Sequence, residues 1–212
     1  VLFGDGAGAV VIEESKSESD GEIYSFSNGL SSDNLEILEI PNFGSAMDRF
    51  KTDEAARVRW TFDGQEIFKS GVRAMAQASA EAIEKSGLSK EDVEIFIPHQ
   101  ANIRIVEALE KKLGLPNATT IKKVHRYGNT SAASIPTAFV DALEEGEIKG
   151  GEIAVFTAVG AGLAWGACAV RLGDRVTPIN KSDAKLPDFD GTATDTIKKA
   201  IEYQVPDKLD KI

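Results

Sequence analysis

The stretch from Val93 to Leu113 constrains the fold of this chain more tightly than any other. Val93-Glu94-Ile95-Phe96-Ile97 is a short apolar run of strand type, Pro98 interrupts it, and Ile103, Val106, Leu109 and Leu113 then recur at helical spacing. A strand passing into a helix within a few residues is the joint of a layered α/β fold, in which helices cover the faces of a sheet. His99 sits in that joint.

The rest of the chain repeats the alternation. Ala9 to Glu13 and Glu22 to Ser25 are expected as strands on either side of a polar, acidic turn from Glu14 to Gly21, and Leu35 to Ile40 alternates as well. Gly64 to Ser86 is expected as a long helix, begun after Asp63 and ended at Gly87, with Ile67, Val72, Met75 and Ile83 facing the core. A short strand near Thr120 to Val124, a helix from Ile135 to Glu145, and two strands, Glu152 to Ala158 and Leu163 to Arg171, complete the pattern. From Gly173 onward the composition becomes loop-rich, with one short helical candidate at Ala193 to Tyr203; the tail as a whole would be a packed extension, a dimer arm or a disordered end.

Two polar residues stand where such a fold puts its chemistry. His99 precedes a helix whose positive end disfavours imidazolium, so a neutral ring could donate its Nε2 hydrogen to a carbonyl oxygen gaining negative charge. Asn129, in Tyr127-Gly128-Asn129-Thr130-Ser131-Ala132-Ala133-Ser134, could aim its NH2 at the same oxygen. Each also has a plainer reading, His99 as a satisfied junction residue and Asn129 as a turn or cap residue. His125 precedes an Arg-Tyr-Gly turn and reads as structural or solvent-facing.

Composition narrows the class. A single cysteine in 212 residues excludes a disulfide framework, and a net charge of -10 opposes broad nucleic-acid binding, which needs a basic face. No apolar stretch reaches the roughly twenty residues of a membrane span, so a cytoplasmic enzyme is expected. Cys168 lies in an apolar strand with no basic neighbour and reads as structural. The turn Val159-Gly160-Ala161-Gly162 fails as a nucleotide loop, because no Gly-Lys-Ser/Thr follows and the next element is a strand; Gly4, Gly6 and Gly8 fail as a cofactor box likewise.

His99-Gln100-Ala101-Asn102, the run Arg126 to Pro136 and the opening Phe3-Gly4-Asp5-Gly6-Ala7-Gly8-Ala9 together resemble β-ketoacyl-acyl-carrier-protein synthase III of the thiolase superfamily, up to about Leu172. The resemblance implies the C-terminal half of a thiolase-like layered α/β/α sandwich, with residues 1–172 as that domain and 173–212 as an extension. It implies a Cys, His, Asn triad in which His99 and Asn129 are the last two members. The nucleophilic Cys would lie on an N-terminal half, as expected of a chain that begins at Val1 rather than Met and is cut mid-fold. The implied reaction is a decarboxylative Claisen condensation of an acyl-CoA primer with malonyl on acyl carrier protein, initiating fatty acid synthesis without metal or redox cofactor.

Further roles come only with the resemblance. A backbone N–H near Ala161 would hold the thioester oxygen, although Val159 and Ala161 replace the Phe and Gly more often found there. Gln65, Phe68 and Asn102 would meet the CoA or pantetheine arm; by helical spacing alone Phe68 reads as core. Lys69, Arg104, Lys111 and Lys112 would dock the acidic carrier protein, and Arg73 is a further basic position; a solvated helix face with pairs such as Glu107 and Lys111 is the plainer reading. A homodimer is implied. Two other readings stand beside this one, a non-catalytic thiolase-fold partner subunit and a starter condensing enzyme of polyketide type.

Overall fold

A computed structural model describes residues 3–33, 35–40, 61–177, 183, 191–192, 194–195 and 198. The chain divides into two compact units, one of Val1–Leu38 with Phe62–Pro178 and one of Glu39–Thr61 with Ile179–Ile212. Apart from Glu39 and Thr61, at the ends of two short strands, the residues described below belong to the first. The helix expected over Ala193 to Tyr203 lies largely outside the described residues.

The strands are β1 (Glu22–Leu30), β2 (Leu38–Glu39), β3 (Thr61–Phe62), β4 (Ile95–Pro98), β5 (Thr119–Thr120), β6 (Ile153–Gly160) and β7 (Ala164–Arg171). The helices are α1 (Gly64–Lys85), α2 (Ile103–Leu113), α3 (Val124–Tyr127) and α4 (Ser134–Glu144). Five strands form one mixed sheet in the order β1-β7-β6-β4-β5. The β4 strand runs parallel to β5 and β6, whereas β7 runs antiparallel to both β6 and β1.

Strand alternation sorts the core into two layers. Phe96, Val155 and Ala169 face one way, joining Val72, Met75 and Ile83 of α1 and Leu109 and Leu113 of α2. Ile95, Ile97 and Ala154 face the other way, against Ala138 and Ala142 of α4. The result is the expected α/β/α sandwich. Full burial of each large apolar side chain, Phe96 and Met75 among them, stabilises it by about 1.5–3 kcal/mol.

Local chemistry sets the helix ends close to where the sequence puts them. Asp63 Oδ1 accepts the N–H groups of Gln65 and Glu66 at 3.1 and 3.0 Å, starting α1, and the chain leaves that helix through Gly87 at φ +74°. Asn102 Oδ1 accepts the Arg104 N–H at 2.9 Å and starts α2, which Gly114 ends at φ 57°.

Three expectations are corrected. Ala9 to Glu13 alternates like a strand, but among the described residues it has no strand to pair with; Val10, Val11 and Ile12 are 67, 86 and 75% exposed. The first strand of the sheet runs on through Ser27-Asn28-Gly29 to Leu30, because tertiary pairing with β7 overrides the weak strand propensity of those residues. The strand expected near Thr120 to Val124 shrinks to Thr119–Thr120, and Val124 instead begins the short α3.

Candidate active site

Because β4, β5 and β6 run parallel, their carboxyl ends share one edge of the sheet, the edge at which open α/β sheets hold ligands. His99 leaves the end of β4, the segment after β5 leads through α3 to Asn129, and β6 ends at Gly160, just before Ala161. Topology thus brings three sequence-predicted positions to one edge.

His99 is firmly seated. Its backbone N–H donates to Thr157 O at 2.8 Å, extending the β4–β6 ladder by one residue, and its Nδ1 lies 2.5 Å from the Ser134 hydroxyl. Burial pushes the imidazole pKa below its ordinary value, so the ring is neutral at neutral pH. The helix dipole predicts a neutral ring from sequence, and desolvation is the cause in the folded chain.

Gln100, 2% exposed, locks the same corner. Its Nε2 donates to Pro98 O at 2.6 Å and to Ile121 O at 3.2 Å, and its Oε1 accepts the Lys123 N–H at 2.8 Å. Lys123 is itself a buried cation, paired through Nζ with Glu145 at 2.6 Å and Glu147 at 3.0 Å. The strand end that carries His99 is therefore tied to the segment leading to Asn129, and that segment to the far end of α4.

Asn129 is oriented by its own loop. Its Oδ1 accepts the Ser131 N–H at 2.9 Å, which identifies the other end of the carboxamide as the NH2. Among the described residues no protein atom accepts from that NH2, so both hydrogens can serve a ligand. The loop holds sharp turns on both sides, Gly128 at φ 66° and Ser131 at φ 53°. A non-glycine residue at positive φ costs about 1–3 kcal/mol and persists only where its surroundings impose it.

The opening glycine run finds its reason here. Gly4 N–H donates to Asn129 O at 3.0 Å, and a Cβ on Gly4 would lie 1.8 Å from Tyr127 O, one on Gly8 2.5 Å from Pro136 Cγ. Those glycines let the backbone press against the Asn129 loop. They cradle a loop rather than a nucleotide.

The other expected residues divide. Phe68 is half-buried and packs on the α1–α2 side of the core. Asn102 caps α2 through Oδ1 and Gln65 is exposed in the first turn of α1. Lys69, Arg104, Lys111 and Lys112 are exposed and, among the described residues, make no ion pair; the pairing with an acid that does form nearby joins Lys122 to Glu110 at 2.7 Å. Ala161 is exposed in the turn between β6 and β7. Cys168 lies half-buried in β7, where burial pushes its thiol pKa up, the state of a structural thiol rather than a nucleophile. Among the described residues no group of three His, Cys, Asp or Glu is placed to hold a metal, and no helix is long and apolar enough to cross a membrane.

Sequence reasoning missed roles for Gln100 and Ser134. Both lie inside the quoted motifs, but apart from the Gln100 bond to Pro98 O their side-chain hydrogen bonds span 21 to 35 residues of chain and have no local signature.

A neutral histidine and an oriented carboxamide thus stand on loops at the carboxyl ends of the parallel strands, on a mixed sheet between helical layers of thiolase type. Residues 83–172 match the family model described as 3-oxoacyl-[acyl-carrier-protein (ACP)] synthase III C terminal. Over 205 residues, 96% of its length, the chain is 48% identical to β-ketoacyl-[acyl-carrier-protein] synthase III 2 of Vibrio cholerae, of which it covers 55%. It is 46% identical over 173 residues to β-ketoacyl-[acyl-carrier-protein] synthase III of Bacillus pumilus, covering 82% of this chain and 50% of that one. The crystal structure of 3-oxoacyl-(acyl carrier protein) synthase III from Pseudomonas aeruginosa superimposes with a TM-score of 0.72 at 32% identity, covering 84% of this chain and 52% of that one. The chain belongs to the β-ketoacyl-acyl-carrier-protein synthase III family and corresponds to its C-terminal half. It spans about half the length of the curated relatives it matches.

Proposed function

We propose that this chain supplies the His and Asn half of a site for decarboxylative Claisen condensation, joining an acyl-CoA primer to malonyl carried on acyl carrier protein. The nucleophilic Cys belongs to the N-terminal half of the relatives, which this chain does not span. In this reading the acyl group first moves to that Cys. Malonyl thioester then loses CO2, the C–C bonding pair becoming an enolate whose oxygen is held by His99 Nε2–H and Asn129 Nδ2–H. The enolate carbon attacks the acyl thioester, a C–C bond forms, the C–S bond breaks, and the Cys thiolate leaves. The observation that carries the reading is the neutral His99 ring and the oriented Asn129 NH2, each held by a residue of the same stretch, Ser134 for the one and Ser131 for the other.

A backbone N–H near Ala161 holds the thioester oxygen, Gln65, Phe68 and Asn102 meet the CoA or pantetheine arm, and Lys69, Arg104, Lys111 and Lys112 dock the carrier protein. Exposure supports the basic positions, since they are cations without acidic partners among the described residues and acyl carrier proteins are acidic. The N-terminal half lies on the apolar groove of about 390 Å³ formed by β1, β7, β6 and the start of α4. Relatives of which this chain spans only about half, and a groove open on the sheet, both favour that occupant. Assembly as a homodimer in the cytoplasm, without metal or redox cofactor, and with residues 173–212 as an extension, completes the proposal.

The test uses the complete enzyme. His99→Ala and Asn129→Ala should each slow malonyl decarboxylation about a hundredfold or more while leaving acylation of the Cys intact. Decarboxylation at the unsubstituted rate in both variants overturns the assignment.

A further inference from the structure

Ser134 opens α4 and is 2% exposed. Its Oγ lies 2.5 Å from His99 Nδ1 and accepts the Gln100 backbone N–H at 3.2 Å. A hydroxyl carries one hydrogen, and a buried one needs an acceptor. Of the two groups in hydrogen-bond contact with this hydroxyl, Gln100 N–H can only donate. His99 Nδ1 is the remaining group able to accept.

We infer that Ser134 donates its hydroxyl hydrogen to His99 Nδ1, confines the imidazole proton to Nε2, and so acts as a positioning residue for the donor that faces the substrate oxygen. The reverse arrangement, with Nδ1–H donating to Oγ, leaves the serine hydrogen buried without a partner. The remaining contacts at this corner fit the assignment. The His99 main chain is pinned by Thr157 O, and the Gln100 carboxamide is fully engaged with Pro98, Ile121 and Lys123. Neither competes for Nδ1.

The sequence carries a consequence. Ser134 follows Asn129 by five positions, with one 3-10 turn, Ser131–Ala133, between them. A single stretch of chain therefore orients both donors, Asn129 through the Ser131 N–H and His99 through the Ser134 hydroxyl. The tautomer in which Nδ1 only accepts is the one that can donate from Nε2 to an oxyanion. The inference deepens the condensation reading and rests on it only for its effect on rate.

The tautomer itself is measured on this chain without any substitution. With ring nitrogens of histidine labelled with 15N, two-bond correlation spectra at neutral pH should show His99 protonated at Nε2 and bare at Nδ1, with His125 as the second signal. A protonated Nδ1 at His99 overturns the proposal. In Ser134→Ala the two His99 nitrogen shifts should move toward each other as the Nδ1–H form becomes populated, and Ser134→Thr, which keeps a hydroxyl, should restore them. Unchanged shifts in a folded Ser134→Ala also overturn it.

In the complete enzyme, Ser134→Ala should lower kcat for malonyl decarboxylation about tenfold or more with KM little changed, the scale found when a partner that orients a functional histidine is removed. Should His99→Ala leave decarboxylation untouched while the tautomer stands, the condensation reading fails and the Ser134 assignment survives.

Discussion

The two faces of the sheet are built to different standards. On one, α1 and α2 bury Phe96, Val155 and Ala169 under Met75, Val72 and Leu109. On the other, α4 covers β4, the start of β6 and the Val170 end of β7 but leaves β1 and the rest of β7 open, with Phe26 64% exposed opposite Cys168 and a groove lined by Phe26, Ile135, Phe156 and Cys168. The same strands supply both faces, so strand pattern does not set the contrast; helix supply does. The covered face is a finished core, and the open one is apolar surface of the kind that marks an interface.

The largest expected effect tests that contrast directly. Phe96→Ala, on the covered face, should destabilise the chain by about 3–5 kcal/mol in chemical denaturation, because a fully buried ring leaves a cavity. Phe26→Ala, on the open face, should change stability by no more than about 0.5 kcal/mol. A comparable loss at Phe26 would mean that the open face is covered in solution.

A smaller effect belongs to the clamp beneath the site. Lys123→Met removes the cation shared by Glu145 and Glu147, which are 34 and 40% exposed and can rehydrate. The expected cost is therefore about 1–2 kcal/mol, below that of a fully buried pair. If the Lys123 clamp supports the corner and not only the fold, the His99 ring signals should shift in this variant as well.

Cys168 reports on the open face. With its thiol pKa pushed up by burial, alkylation by iodoacetamide should be slower at neutral pH than for an unhindered thiol and should quicken steadily as pH rises. Adding the N-terminal half should slow it further, since Cys168 lines the groove proposed to receive that half. Fast alkylation in the presence of a bound partner would place the partner elsewhere.

Much of this was legible in the chain. Asp63, Gly87, Asn102 and Gly114 mark helix ends through local hydrogen bonds and backbone freedom, which act over a few residues and leave a trace in sequence. What stayed hidden depends on distant partners. Ser27-Asn28-Gly29 joins β1 because β7 offers a ladder and because Gly29 has no Cβ to strike the Trp165 ring, 2.6 Å from where that atom would lie. Ala9 to Glu13 fails as a strand for the converse reason, since alternation without a neighbour earns no backbone pairing. The site divides in the same way. His99 and Asn129 could be singled out from their motifs, whereas the Ser134 hydroxyl and the Gln100 carboxamide acquire roles only when folding brings their partners within reach.

The smallest effect concerns protons. Burial lowers the His99 pKa in the folded chain below its ordinary 6.5, so in acid the unfolded chain binds a proton that the folded chain resists. Stability from this residue is then fully present above about pH 6.5 and is lost as pH falls below it, because the unfolded state holds more protons in that window. Carboxylates held down by hydrogen bonds, such as Glu110 by Lys122 and Asp92 by Ser89, contribute a separate loss nearer their own ordinary values of 4.5 and 3.8. Subtracting His99→Gln from the parent chain isolates the histidine. The stability difference between the two should be flat above pH 6.5 and should move against the parent as the solution is acidified toward pH 5. A difference that stays flat across that range would mean that His99 titrates in the folded chain as freely as in the unfolded one, and the neutral donor at this sheet edge would lose its physical basis.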